Sequence, residues 1–188
     1  MRSIWFCFKL VEGCLGCLCM GIQIEGFLNV AVSQDLYVYI TIFSVFTCIS
    51  FFGCLNICMD HDPTLVSEMI WNGFACFGYT LTAILTMYHA EKDLYLIHLK
   101  GVEIIEEAAE HPFFGYSKFQ AITGIVTGVV HLMHAVLAGD VVFVEADRRS
   151  GEKPRIILYL GGLWFHTHLM KFKWFRRFEG PNLSARTG

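Results

Sequence analysis

Four stretches of the chain are apolar for long enough to cross a bilayer: residues 4–28, 37–59, 69–89 and 119–144. A spanning helix needs about 20 largely apolar residues. The pattern therefore predicts an all-α membrane protein, a four-transmembrane-helix bundle over residues 1–144. The connections are a very short loop at 29–35, an acidic turn at 60–68 and one sizeable loop at 90–118. Within that last loop VEIIEEAAE (102–110) has helical character, and His111-Pro112 is expected to end it. The first stretch has no short apolar core followed by a small-residue cleavage site, so it is expected to stay as an anchor. A fifth apolar run, IILYLGGLWFHTHLM at 156–170, is short and interrupted by Gly161-Gly162. It is expected to lie against the membrane face.

Composition supports lipid as the solvent. Hydrophobic residues make up 55% of the chain and charged residues 16%, and the mean hydropathy is +0.51. Soluble domains carry roughly 25% charged residues. The net charge of −3 hides an asymmetry, because residues 145–188 are basic and the remainder is acidic. Lys and Arg near span ends set orientation. Arg2 and Lys9 flank the first span, and Arg148, Arg149, Lys153 and Arg155 follow the fourth. Both termini are therefore expected to be cytoplasmic, with the loop 90–118 outside. The basic, aromatic tail holds KFKWFRRF, in which Lys171, Lys173, Trp174, Arg176 and Arg177 suit contact with the inner leaflet. The expected partners are the lipid bilayer and other membrane proteins, with no nucleic acid.

The cysteines raise a question of chemistry. All eight lie inside the apolar stretches, and Cys14 and Cys17 have C-x-x-C spacing. The outer loops contain no cysteine to form a disulfide or relay electrons, which argues against tetraspanins, claudins, connexins and the vitamin K epoxide reductases. Two thiols without a nearby His are a poor zinc site. Cysteine also acts as a small hydrophobe. Gly13, Cys17 and Gly21 recur every four residues, and Gly124 and Gly128 form a G-x-x-x-G whose face His131 and Ala135 continue at helical spacing. Small residues on one face let spans approach closely, so both stripes are expected to be packing faces. Cys7 and Cys58, at the expected cytoplasmic boundary, are candidates for palmitoylation.

Four ionisable residues away from the span ends need explaining: Glu12, His131, His134 and Asp140. Such groups are costly in lipid and generally functional. Glu12 and His134 lie at similar depths on antiparallel spans, so they are expected to pair, with His131 as the alternative. Lys9 is near enough to the boundary to reach the headgroups. The two histidines are three residues apart on one helix and so cannot be opposed ligands of one haem. Asp60-His61-Asp62, followed by Pro63, reads as a turn or cap. No catalytic residue, metal ligand or cofactor is expected. The alternatives left open are a small transporter or channel subunit using Glu12, His131 and His134, and a thiol oxidoreductase using Cys14 and Cys17.

A first span reading FKLVEGCLGCLCMG (8–21) and a last span reading GVVHLMHAVLAGDVVF (128–143) resemble the arthropod four-pass proteins of the pasiflora group. These are MARVEL-like in topology and associated with septate junctions. The resemblance covers residues 4–144. It implies a non-enzymatic plasma-membrane protein of lateral cell junctions, needed to assemble epithelial or glial occluding junctions.

Overall fold

The computed structural model describes residues 2–27, 35–61, 64–100, 112–148, 167–168 and 171–172. Four helices make up nearly all of it: α1 Arg2–Phe27, α2 Asp35–Cys58, α3 Leu65–Lys100 and, written here as α4, Pro112–Arg148. Each contains a segment long and apolar enough to cross a membrane: Ile4–Gly26, Tyr37–Cys58, Leu65–Lys92 and Gly115–Val142. The described residues are therefore essentially all-helical, with the four long apolar helices expected of a multi-pass membrane protein. The segment expected as an outer loop is shorter than its bounds suggested, because α3 continues to Lys100 and α4 already starts at Pro112. Proline is favoured at the first helical position, where its missing N–H costs nothing. The stretch 102–110 lies outside the described residues, as do Lys173, Trp174, Arg176, Arg177 and nearly all of 156–170. Lys171 is described and exposed.

The helices are arranged in a ring, with α1 between α2 and α4 and α3 packed most extensively on α4. Their buried positions alternate at spacings of three and four. On α1 they include Trp5, Lys9, Glu12, Gly16, Cys19, Gln23 and Gly26; on α3 they include Asn72, Ala75, Tyr79, Thr82 and Thr86; on α4 they include Ser117, Gln120, Gly124, Thr127, His131, His134 and Ala138. This 3.5-residue repeat is the seam of a left-handed coiled bundle. In a soluble bundle these positions would be Leu or Ile, whereas here most are polar or small. The outer faces carry the apolar residues, among them Phe52, Phe74, Phe77 and Ile122. Such an inversion suits a lipid solvent, in which apolar groups gain nothing by turning inward.

Close approach occurs where glycine permits it. A Cβ on Gly124 would sit 3.3 Å from the Ala83 side chain, and one on Gly128 would sit 3.0 Å from Thr80 Oγ1, so α3 lies tightly against α4. On α1 the expected stripe is not the packing face. Gly13 does rest on Phe51 of α2, but Gly21 meets nothing within 4 Å and Cys17 is exposed. The close contacts are instead at Gly16, against Thr47 and Tyr79, and at Gly26, against Tyr116. Glu12 and Gln23 explain the rotation. Both must leave lipid, and turning them inward brings 16, 19 and 26 with them.

The α2–α3 connection is a helix cap. His61 N–H bonds Asn56 O at 3.0 Å and Asp60 N–H bonds Ile57 O at 3.2 Å, with Asp60 in the left-handed region at φ 67°. This is the Schellman pattern, with Asp in the position that usually holds Gly. The His61 ring turns back onto Met59 O at 3.1 Å.

Candidate functional site: a buried ionic cluster

At one end of the seam, charged and polar side chains from all four helices meet. Glu12 lies eight residues beyond Ile4, where the span begins, about 12 Å into it, and is fully buried. Its Oε1 receives a hydrogen bond from His134 Nδ1 at 2.5 Å. The same oxygen lies 3.5 Å from His131 Nδ1. Its Oε2 accepts from Ser50 Oγ of α2 at 3.3 Å and lies 3.4 Å from Lys9 Nζ. Lys9 is 2% exposed and makes its shorter ion pair, 2.6 Å, with Glu68 Oε2 of α3. The Lys9 stem passes over Gly53 of α2, where a Cβ would come within 2.9 Å of Lys9 Cδ. Lys9 therefore does not reach the headgroups as its position near the boundary suggested. A second carboxylate inside the bundle holds it there.

Asn72 links the halves of the cluster. Its Nδ2 donates to Glu68 O at 2.8 Å and to Glu68 Oε2 at 3.1 Å. Its Oδ1 accepts from His131 Nδ1 at 2.7 Å. These partners place the proton of each neutral ring on Nδ1. Aromatic rings seal the histidines in place. Phe8 stacks on His134 at 5.0 Å with Trp5 at 5.2 Å, and Tyr79 stacks on His131 at 5.4 Å. Glu68, near the start of α3, has the most exposed side chain of the cluster, 16%.

The charges in the cluster do not cancel. Two carboxylates, Glu12 and Glu68, face one lysine. With both rings neutral the cluster carries one negative charge, and with one ring protonated it carries none. His134 bridges the carboxylates, with Nδ1 on Glu12 and Nε2 3.9 Å from Glu68 Oε2. The cluster can therefore hold helices together electrostatically and can accept and pass a proton.

Glu12, His131 and His134, singled out from the sequence, thus come together. Asp140 is also buried, two turns further along α4. Glu68, Asn72 and Ser50 join them although the sequence reading put Glu68 in the acidic turn. All eight cysteines are free thiols. Cys7, Cys14 and Cys17 are exposed on the outer side of α1 and Cys58 is exposed at the end of α2, while Cys19 is buried with its Sγ 3.6 Å from Thr127 Oγ1. Among the described residues no three His, Cys, Asp or Glu are grouped as metal ligands.

Residues 2–144, the bundle with its ionic cluster, match the model of a domain of unknown function, DUF7775. The chain belongs to the DUF7775 family. In this DUF7775 chain the match covers every residue of the cluster and ends before the basic tail. No curated protein matches it, and no solved structure does.

Proposed function

We propose that this protein is a non-enzymatic structural component of the plasma membrane, a four-pass bundle with both termini cytoplasmic, acting at lateral cell junctions in the assembly of occluding, septate-type barriers. One observation carries the structural reading. The ionisable side chains of the cluster bind one another across three helices, and Ser50 joins them from the fourth, which ties the bundle together. The outer faces are left apolar, available to lipid and to other membrane proteins or further copies of itself. The junctional part rests on the likeness of the first and last spans to the pasiflora group. The orientation rests on Arg2 and on the bases from Arg148 to Arg155, since Lys9 is consumed within the bundle.

The test is the position of a tagged copy in a polarised epithelium, together with the barrier after its removal. Lateral junctional staining and a leaky paracellular path on depletion are expected. Staining confined to the endoplasmic reticulum, with an intact barrier, would refute the proposal. The orientation has its own check: a glycosylation site added after Gly188 should stay unmodified and one near Gly101 should be used. The reverse result inverts the topology.

A further inference from the structure

The ionic cluster occupies one end of the seam, yet polar residues continue along it. Beyond His131 come Tyr79 and Thr47, then Cys19 and Thr127, then Gln23 and Gln120. Glu12 with His134, Cys19 with Thr127 and Gly26 with Tyr116 fix the antiparallel register of α1 and α4. That register sets Gln23 opposite Gln120. From Lys9 to Gln23 the seam runs about 21 Å, against a hydrocarbon core of about 30 Å.

Several of these groups lack a protein partner. Both amide atoms of Gln23 and of Gln120 make no hydrogen bond within the protein, and neither do Nε2 of His131 and of His134. Both glutamines are 1% exposed. Unsatisfied polar groups at membrane depth cost several kcal/mol each. Buried water, which typically makes about three hydrogen bonds to such groups, removes that cost. Two facing amides supply four N–H donors and two carbonyl acceptors at one level, a good seat for water.

We propose that the seam between α1, α3 and α4 is a hydrated proton path, loaded at Glu68 and continued by water held at the Gln23–Gln120 level. His134 is the relay. A proton taken up by Glu68 from the aqueous face moves to His134 Nε2 once a small side-chain shift closes the 3.9 Å gap. As that N–H bond forms, the Nδ1–H bond breaks and its proton goes to Glu12 Oε1, 2.5 Å away. Reversal of the ring tautomer through the neighbouring water restores His134. Glu12 passes the proton to water beside His131, and the amides orient the water beyond without taking a proton themselves. One proton enters for each that leaves, and every side chain returns to its starting state. Lys9, Glu12, Glu68, His131 and His134 are the charged and titratable groups that face this path at its loaded end. The activity is independent of the junctional proposal, and neither result decides the other.

The full-length protein in lipid vesicles with an entrapped pH-sensitive dye tests it. Under a valinomycin-imposed potassium diffusion potential, vesicles with the wild-type protein should acidify faster than protein-free ones. The double change Gln23→Leu/Gln120→Leu and the single change His134→Gln should each return the rate to the protein-free level. Since Leu replaces unpaired amides, the double variant should unfold at a temperature no lower than the wild type. Wild-type flux at the protein-free level overturns the path, as does unchanged flux in the double variant. A lower unfolding temperature in the double variant also overturns it, because the amides would then be bound to each other.

Discussion

Lys9 is the residue on which the cluster depends most, and its replacement by methionine gives the sharpest test of the ionic reading. Methionine keeps the length and apolar stem that lie over Gly53 and removes only the charge. What remains is Glu12 and Glu68 facing each other's field with no fixed cation. Removing one partner of a buried ion pair costs about 3–5 kcal/mol, and Lys9→Met is expected in that range. Glu12→Gln should behave differently. It leaves the 2.6 Å Lys9–Glu68 pair intact and electrically balanced, and the amide can still engage Ser50 and His134. Interhelical hydrogen bonds in membranes average about 0.6 kcal/mol and reach about 1.7, so its cost should lie near that scale. The double variant Lys9→Met/Glu12→Gln retains only Glu68, which is partly exposed. It should therefore be more stable than Lys9→Met alone, which is a rescue by a second loss.

The measurement is unfolding in mixed micelles as the fraction of denaturing detergent rises, followed by helical circular dichroism. A coupling energy above about 1.7 kcal/mol, beyond a neutral hydrogen bond in lipid, is expected between positions 9 and 12. Additive losses would refute the charge argument. So would a cost for Lys9→Met of well under about 1 kcal/mol, the scale of an exposed pair, because Lys9 would then be in the headgroups. The same cycle run with His134→Gln should couple more strongly to Glu12 than one run with His131→Gln, since the distances to Oε1 are 2.5 and 3.5 Å.

Two further outcomes follow from the rotation of α1. Gly16→Ala forces a methyl group onto the Thr47 hydroxyl and to 3.0 Å from Tyr79 Oη, an overpacking expected to cost about 1–3 kcal/mol, whereas Gly21→Ala meets nothing and should be neutral or gain up to about 1 kcal/mol; equal losses at both sites in the same unfolding assay would place the packing face elsewhere. Cys14→Ala/Cys17→Ala removes only lipid-facing thiols and should leave stability and localisation unchanged, while Cys19→Ala, at a fully buried position, should cost about 1 kcal/mol; loss of function with normal stability in the first variant would restore a role for the C-x-x-C pair.

The spans and the meeting of α1 with α4 were legible because both rest on one-dimensional quantities. Apolar run length places the spans, and residue count from a boundary gives depth, which was enough to match Glu12 with His134. The azimuth of each helix was harder. Gly13, Cys17 and Gly21 define a face as regular as the true one, and small residues alone do not say which face is used. The deciding signal was the polar residues inside the apolar runs. Glu12, Cys19 and Gln23 on α1, like Gln120, Thr127, His131 and His134 on α4, fall on a single repeat of alternating threes and fours. Counting that repeat would have rotated α1 correctly. Glu68 was missed for a different reason. It lies just before the apolar stretch that marks α3, and only Lys9 and Asn72, contributed from inside the bundle, draw it into a helix that begins at Leu65.

The cluster also explains how one register is selected. In lipid an apolar seam offers little preference among alignments, because sliding a helix by one turn trades one apolar contact for another. Here such a slide has a penalty. Moving α1 by a turn along α4 carries Glu12 from His134 to the level of Ala138 or of His131, and in either case it separates Lys9 from Glu68. Every shifted arrangement leaves at least one carboxylate without a partner in a medium that cannot solvate it. A single polar residue on the seam of a coiled coil is enough to fix its register, and this bundle commits residues from four helices at one level. The ion pairs therefore contribute less to total stability than to the energy gap between this arrangement and its neighbours. Replacing the whole cluster with apolar residues should leave a bundle that still associates but no longer in one alignment.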